Sequence, residues 1–510
     1  MIPFQYKRRS RKQWKDLPIE VQNVILKKVV RAVNQSSLPY LSEYACVCRL
    51  WQKFFESRIF CRLIIHSSRL YEMKYIVVGN RRKYVRHIAL RFELSPLMPR
   101  SERDLPENTR NINDYKFTAA VFDFWAVIST WKIHDVKARE PLTLELIPDR
   151  PNCSVALYSS YLRDGSFREY QLRADSYRHG AMLSQRPLGD LLDPANYRQL
   201  LRETKRSWRK EGDLSIRFQN IPPDQRRLPP VEVVTYFLIR REYDFNFNPT
   251  SLSIIFQSLV RLEGINFERG IHLNPVDERY WSLLVLEPKS LSSSLSRSLK
   301  NFTFFAEASD VFQTQSAMPL ESNELLANEF VNISRGLQHL SLAFLVDAED
   351  FISYAREGIQ HKRYHWKHLR SLSLTMKCFV RPDPSWPLPV SRLNGSLVAA
   401  GEMAKEMPRL NMMEIWNGDK GQAGIFRYIS TSESTTISWQ GTKHLQLSTQ
   451  AIKTWSEVAR RNTQHELSLQ MLLIPPGWIK GTASVLHYLK IGVMHKVSAW
   501  QTQWKQEIKL

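Results

Sequence analysis

A short apolar frame recurs through the chain, and it restricts the possible folds more than any other feature. It has the form apolar-x-x-apolar-x-apolar, as in LQHLSL and LRSLSL. Frames of this form start at Val85, Leu262, Leu299, Leu337, Leu369, Leu410 and, in a degraded copy, Thr442. From Leu299 onward the first positions lie 32 to 41 residues apart. Because its last two apolar positions alternate with one other residue, each frame predicts a strand with one face toward a core.

Strands that recur in this way indicate a repeat architecture, in which each unit buries its apolar face only by stacking on its neighbours. The frame is that of a leucine-rich-repeat strand, although the units here are longer than the usual repeat of about 20–29 residues and lack its Asn. We therefore predict an α/β fold with an irregular leucine-rich-repeat-like α/β body over residues 63–510. An ordinary α/β domain with several such strands stays open as the alternative.

Two amphipathic helices are predicted ahead of this body, within residues 13–62. The first carries apolar residues at helical spacing, and Pro18 and Glu20 suit its first turn. Its apolar positions are Leu17, Val21, Ile25, Val29 and Val33, flanked by Val24, Leu26 and Val30. The stretch NQSSLP at 34–39 is a turn signal. The second helix would place Tyr44, Val47, Cys48, Trp51, Phe54 and Phe55 on one side.

Composition limits the compartment and the class of protein. The chain has 510 residues, of which 43% are hydrophobic, so its core needs no disulfide or metal staple. Five scattered cysteines favour reduced thiols, and hence a cytoplasmic or nuclear location, or both. The basic start has no signal-peptide core, and no apolar run approaches the ~20 residues that span a bilayer. We therefore expect no membrane association.

The net charge is +22, and the first hundred residues hold 21 Lys or Arg against 6 Asp or Glu. Residues 1–12 are interpreted as a basic flexible leader. A surplus of this size favours acidic partners or nucleic acid by electrostatics alone. A basic nucleic-acid-binding protein with a leucine-rich-repeat-like scaffold is therefore the alternative function.

The sequence offers no pattern of catalysis. It lacks GxGxxG, a P-loop, GxSxG and HExxH, so we expect neither catalytic residues nor a cofactor. His361, His365 and His368 have helical spacing that could line a zinc site. Basic neighbours and the strand that follows argue for a solvated turn there instead, so no metal site is predicted.

The two helices together resemble an F-box, whose pattern is LPxE, then Ile and Leu, and finally VC(K/R)xW. The matching segments are LPIEVQNVIL, starting at Leu17, and VCRLW, starting at Val47. Segments such as YACVCRLWQKFFESRIFCRL and TWSEVARRNTQHELS are also similar to long, uncharacterised F-box proteins of filamentous fungi. The F-box resemblance covers about fifty residues, one tenth of the chain.

This resemblance implies a non-catalytic substrate-recruiting subunit of an SCF-type ubiquitin ligase. The N-terminal helices would bind a Skp-family linker protein, and the body would bind a protein substrate that the sequence does not identify. The residues expected to serve the linker contact are Leu17, Pro18, Glu20, Ile25, Leu26 and Val47. Trp51 is expected to pack the two helices together.

Overall fold

The structure is a computed structural model, which describes residues 14–35, 41–95, 107–137, 140–149, 215–219, 227–241, 246–269, 291–306, 320–361, 364–381, 383, 385–463, 465–499 and 502. The predicted leader, residues 1–12, lies outside these ranges. Within them, the chain forms a mostly parallel sheet with a layer of helices on one face. The prediction of an α/β fold is therefore confirmed.

Fourteen strands are formed by the described residues. They are β1 (Arg62–His66), β2 (His87–Glu93), β3 (Thr143–Asp149), β4 (Ser215–Ile216), β5 (Tyr236–Ile239), β6 (Asn246–Phe247), β7 (Gly264–Glu268), β8 (Asn301–Phe305), β9 (His339–Asp347), β10 (Ser371–Thr375), β11 (Met412–Asp419), β12 (Gln422–Ser430), β13 (Thr435–Gly441) and β14 (Leu467–Leu473). Twelve of them form one sheet in the order β1-β2-β3-β5-β7-β8-β9-β10-β11-β12-β13-β14. Only β12 runs antiparallel to its neighbours. The short strands β4 and β6 pair separately.

Six of the recurring frames, all but the one that starts at Thr442, align across this sheet. Their fourth positions occupy one cross-strand row, together with equivalent residues of β3 and β5. The row consists of Ile88, Leu144, Phe237, Ile265, Phe302, Leu340, Leu372 and Met413. All eight side chains are buried in the main core. Parallel strands in register direct corresponding residues to the same face of the sheet. The frame therefore recurs because these strands occupy the same environment.

Twelve helices are formed by the described residues. They are α1 (Ile19–Gln35), α2 (Leu41–Tyr44), α3 (Arg49–Ile59), α4 (Leu70–Ile76), α5 (Glu107–Ile128), α6 (Pro249–Ser258), α7 (Leu291–Ser294), α8 (Leu320–Ser334), α9 (Ala348–Gln360), α10 (Val390–Ala404), α11 (Thr449–Asn462) and α12 (Thr482–Val485). None of these helices has the length and apolarity needed to cross a bilayer.

One layer of helices covers the apolar row of the sheet. Phe237 contacts Phe256 of α6 at 5.2 Å between ring centroids, and Phe302 contacts Phe330 of α8 at 5.6 Å. Helix α8 packs on α9, α9 on α10, and α10 on α11. At the far end, Phe426 of β12 contacts Trp455 of α11 at 5.2 Å. Among the described residues, the buried apolar side chains of the sheet and of these helices belong to one continuous core.

The opposite face of the sheet, called here the polar face, has a different composition. Its central row runs Ala89, Glu145, Leu238, Asn266, Thr303, Ser341, Ser373, Glu414, Arg427, Ser438 and Gln470. Nine of these eleven residues are polar or charged. Several are nevertheless fully buried, including Glu145, Ser373 and Glu414. Buried polar groups need hydrogen-bond partners, so this face must be satisfied from within the chain.

Three sequence expectations need correction. The frame starting at Thr442 is not a strand, because β13 ends at Gly441 and residues 444–448 are irregular. The second N-terminal helix is divided into α2 and α3 by a turn that contains Val47 and Cys48. Cys48 is the N-cap residue of α3, with extended backbone angles, so it cannot lie on a continuous helix. The β12–β13 pair was not expected from the sequence at all.

The close approach of Tyr236 to Gly264 gives a test of strand register on the polar face. A Cβ atom on Gly264 would lie 2.2 Å from Cε1 of the Tyr236 ring, whose hydroxyl accepts a hydrogen bond from Asn301 Nδ2 at 2.8 Å. We expect Gly264→Ala to lower the free energy of unfolding by about 1–3 kcal/mol, since the ring must move. Urea denaturation measures this change.

A double-mutant cycle supplies the control. In a Tyr236→Ala background the same glycine substitution should lower the free energy of unfolding by a smaller amount, because the obstructing ring is gone. In a Tyr236→Phe background, which keeps the ring, it should cost as much as in the wild type. Equal costs in all three backgrounds would contradict the packing of Tyr236 on Gly264.

Candidate functional site

The N-terminal helices have a small core of their own. Leu26 of α1, Leu41 of α2 and Phe55 of α3 are buried together, in a cluster distinct from the main core. The half-buried Ile59 contacts both clusters. Gln22 fixes the start of α1, because its Nε2 donates hydrogen bonds to the backbone oxygens of Trp14 (3.2 Å) and Leu17 (2.8 Å). These helices therefore form a compact helical module beside the sheet.

Aromatic rings hold the module together around Trp51. Its ring centroid lies 5.4 Å from Trp14 in an edge-on arrangement, 6.3 Å from Tyr44 and 5.6 Å from Phe55. Aromatic pairs at such distances stabilise by about 0.5–1.5 kcal/mol beyond the area they bury. Trp51 thus joins α3 to α2 and to the segment that precedes α1.

The helical module leaves a second set of apolar side chains in solvent. On α1, the core side is formed by Leu26, Val29 and Val30, whereas Val21 and Val24 are 42% and 52% exposed. Helical geometry places Val21, Val24 and the half-buried Ile25 on one face, since residues three and four apart are neighbours. The exposed large apolar residues of the module are Ile19, Val21, Val24, Val47 and Leu50. Such exposure is typical of a surface that binds a partner.

The six residues expected to contact a partner lie in different environments. Pro18 and Glu20 are exposed at the start of α1, and Val47 is 60% exposed in the turn before α3. Leu17 and Ile25 are half-buried, and Leu26 is fully buried in the core of the module. Sequence reasoning did not single out Val21 and Val24 as the exposed pair. The sequence did contain a signal for a second apolar side, because the apolar residues of α1 cover more than half of the helix circumference.

A charged contact joins the module to the body. Arg81, in the 3-10 turn before β2, donates hydrogen bonds to Oε1 of Glu56 from Nε (3.1 Å) and from Nη2 (2.7 Å). The Arg81 guanidinium also lies 5.0 Å from the ring centroid of Phe60. Burial opposes ionisation of Glu56, but the bonds from Arg81 and Gln52 leave the pKa of Glu56 below its usual value.

A second candidate surface is the polar face, and a segment of the chain lies across it. Residues 486–499, called here the strap, contact β11 through Glu414 and β7 through Glu268. Glu414 accepts hydrogen bonds from the backbone nitrogens of Lys490 (3.0 Å) and Ile491 (2.8 Å) and from Nε of Arg427 (2.5 Å). The Arg427 side chain also donates to the backbone oxygen of Tyr488.

The other attachment of the strap is at Glu268. Its carboxylate accepts hydrogen bonds from the backbone nitrogens of His495 (2.5 Å) and Arg241 (3.2 Å). Burial raises the pKa of Glu268 to about 7. Burial also lowers the pKa of His495 to about 4, and the charge of Arg240 acts in the same direction. Val493, Met494 and Val497 of the strap are buried, so the strap is part of the folded core.

Glu145 is the third buried carboxylate of the polar face. It accepts hydrogen bonds from Arg240 Nε at 2.5 Å and from His87 Nε2 at 2.7 Å, and Arg62 lies 3.8 Å away. Burial alone would raise its pKa, but the charge of Arg240 and the bond to His87 hold the pKa of Glu145 well below its usual range. The carboxylates of the polar face are thus engaged by guanidinium and backbone donors. Their geometry holds the sheet and the strap together.

The histidine cluster does not form a helical face. His361 follows the last residue of α9, and His365 lies in an irregular segment where its Nδ1 is 3.3 Å from Oε2 of Glu406. Among the described residues, no group of three His, Cys, Asp or Glu side chains is arranged to hold a metal ion.

Comparison with known protein families gives a match over part of the chain. Residues 294–495 are similar to a family of unknown function, DUF6546. The matched segment begins just before β8 and ends at His495 in the strap, so it includes Glu414 and the strap residues that contact it. No curated protein and no solved structure matches the chain.

The buried Glu268 gives a testable pH dependence. Because its pKa is raised in the folded state, the folded chain keeps this proton while the unfolded chain loses it. The free energy of unfolding therefore falls as pH rises from about 4.5 to about 7, by up to about 1.4 kcal/mol per pH unit. We expect Glu268→Gln to remove this decrease. Denaturant titrations of both proteins across the pH range measure the difference between them.

His495 contributes a dependence of opposite sign, since its lowered pKa makes stability rise with pH over about 4 to 6.5. Both proteins retain His495, so the comparison isolates Glu268. The exposed Glu433→Gln is the matched control and should show no such change. A difference between Glu268→Gln and wild type that stays constant with pH would contradict the burial of an ionisable Glu268.

Proposed function

We propose that the chain is the substrate-recruiting subunit of an SCF-type ubiquitin ligase. Its helical module binds a Skp-family linker protein, and its body binds a protein target, while other subunits transfer ubiquitin. The observation that carries this proposal is the pair of apolar sides on α1. Leu26 is buried in the core of the module, whereas Val21 and Val24 stay in solvent, as expected of a helix that also contacts a partner.

The F-box resemblance supplies the identity of that partner. Leu17, Pro18 and Glu20 lie at the start of α1, and Val47 lies in the turn before α3, so both matching segments belong to the same small module. The module has its own core and contacts the sheet through one end of α3 and the Arg81–Glu56 pair. A linker could therefore bind the module without rearrangement of the body.

The body is proposed to be an irregular leucine-rich-repeat-like scaffold for the target. Its support is the register of the recurring frames, six of which occupy the same row of the sheet. Strands stacked in this way give a broad surface on which a protein partner can be recognised. In a ubiquitin ligase this scaffold works in the cytoplasm, the nucleus or both.

Binding of a purified Skp-family protein of a filamentous fungus to the full chain tests the linker contact. We expect the Val21→Asp, Val24→Asp double variant to bind at least about 100-fold more weakly, because two charges would be desolvated at an apolar contact. Isothermal titration calorimetry gives the dissociation constants. Both residues are exposed in the free chain, so the variant should fold normally. Leu26 is left unchanged, since its loss would disturb the core of the module.

Val260→Asp is the matched control, because Val260 is 45% exposed but lies in the body after α6. It should bind as the wild type does. Equal affinity of wild type and double variant would overturn the assignment of this face.

Nucleic-acid binding is the alternative that the charge of +22 favours. It would give an affinity for single-stranded RNA that falls steeply with salt, because phosphate contacts release counterions.

A further inference from the structure

Strand β14 ends the sheet with an edge that has no protecting charge. Its sequence is LSLQMLL, and every residue from Ser468 to Leu473 is exposed. It is last in the strand order, so its outer edge pairs with no strand among the described residues. Natural edge strands are usually shortened, charged or covered, because their open backbone groups accept other strands. β14 has seven residues and no charged side chain, and no strand of the described part of the chain covers its outer edge.

The apolar residues of β14 extend the main core. In the parallel register, Ile437 of β13 lies beside Leu469, and Trp439 lies beside Met471. Ile437 and Trp439 are buried, and Leu467 packs partly against the same core. Side chains that are paired in this way point to the same side of the sheet. Leu469, Met471 and Leu473 therefore continue the helix-covered side, although Leu469 is 46% and Leu473 is 55% exposed.

The cause of this exposure is the path of the chain after β14. Strands β8, β9 and β10 are each followed along the chain by a helix of the covering layer, α8, α9 and α10 respectively. After β14 the chain instead goes to the polar face. Gly421 N donates to Ile479 O at 2.8 Å, Thr482 donates to Gly418 O at 2.9 Å, and the strap follows. Among the described residues, no helix that follows β14 joins the covering layer, because the chain runs to the polar face instead.

The opposite edge of the sheet is protected. β1 has five residues, begins with Arg62 and ends with His66, and contacts α3 of the helical module. Repeat proteins need a polar cap at each end to stay soluble. The β1 edge is short and contacts the helical module, whereas β14 is longer and exposes more apolar side chains.

We infer that β14 pairs with β14 of a second copy of this chain, in antiparallel orientation around Gln470. This inference does not depend on the proposed ubiquitin-ligase function. Antiparallel pairing centred on Gln470 places Leu467 of one strand opposite the partner strand's Leu473, and Leu469 opposite the partner strand's Met471. Odd-numbered residues then face odd-numbered residues, so the apolar row of one copy meets the apolar row of the other.

The sequence of β14 favours a second copy over an unrelated strand. A twofold axis through Gln470 matches apolar residues with apolar residues at every odd position, and the interface contains no charge that would repel its copy. The axis is perpendicular to the sheet, so both helix layers lie on the same side and cover the joined row. This pairing covers the outer edge of β14 in both copies. The dimer is closed, because no β14 edge is left for a third copy.

Two charged variants of the full chain test the pairing. One is Leu469→Glu with Met471→Glu, and the other is Leu469→Lys with Met471→Lys. Sedimentation equilibrium should show a dimer for the wild type at about 50 µM and a monomer for each variant, since like charges would face one another across the twofold axis. Each variant should weaken dimerisation at least about 100-fold. An equimolar mixture of the two should form a heterodimer, because Glu would face Lys.

Leu325→Lys is the matched control, since Leu325 is 44% exposed on α8, and it should remain dimeric. The mutated residues are exposed in the single chain, so unfolding midpoints measured where all proteins are monomeric should agree. A wild type that is monomeric at about 50 µM overturns the inference. Dimeric charged variants would place the interface elsewhere and also overturn it. Failure of the mixture to form a heterodimer overturns the antiparallel pairing around Gln470.

Discussion

The alternation of side chains along parallel strands determines most of this structure. From β2 to β11, the strands of the main sheet direct apolar residues toward the helices and, except at Leu238 of β5, place a polar or small residue between them in the central row of the opposite face. Leu340 and Leu342 enclose Ser341, and Leu372 and Leu374 enclose Ser373. Parallel sheets normally have both faces covered by apolar material. Here the second face is polar and buried, so it requires donors from distant parts of the chain, and the strap provides them at Glu414 and Glu268.

Local sequence was sufficient to predict the strands that repeat. The frames starting at Leu337 and Leu369 end in β9 and β10, because short-range alternation with β-branched or small partners defines a buried strand. The frame at Thr442 fails for a physical reason. Leu445 and Leu447 have the right spacing and are buried, but the strand position beside β12 is already taken by β13. Spacing alone does not show which of two nearby segments occupies a place in the sheet.

The β11–β12 hairpin could have been recognised from its turn residues. Strands β11 and β12 are joined by Lys420 and Gly421, and Gly421 has a φ of +69°, which suits a tight hairpin. The strap could not be predicted, because it has no periodic pattern. Its contacts with Glu414 and Glu268 connect residues 76 to 227 positions apart, and both depend on a carboxylate whose neighbours look like ordinary strand residues. The helical module could be predicted only in part. Periodicity located α1, but two apolar sides on one helix do not reveal which side faces the core.

The strap also has a consequence for the order of events during synthesis. Glu268 leaves the ribosome 227 residues before the backbone nitrogen of His495 that it binds. At about 5–20 residues per second, this delay is roughly 10 to 45 s. For that time Glu268 lacks the backbone donor that the strap supplies. Arrival of the strap completes the burial of Glu268, and this burial raises the pKa of its carboxyl. Completion of the polar face is therefore a late step of folding, which waits for the strap to leave the ribosome.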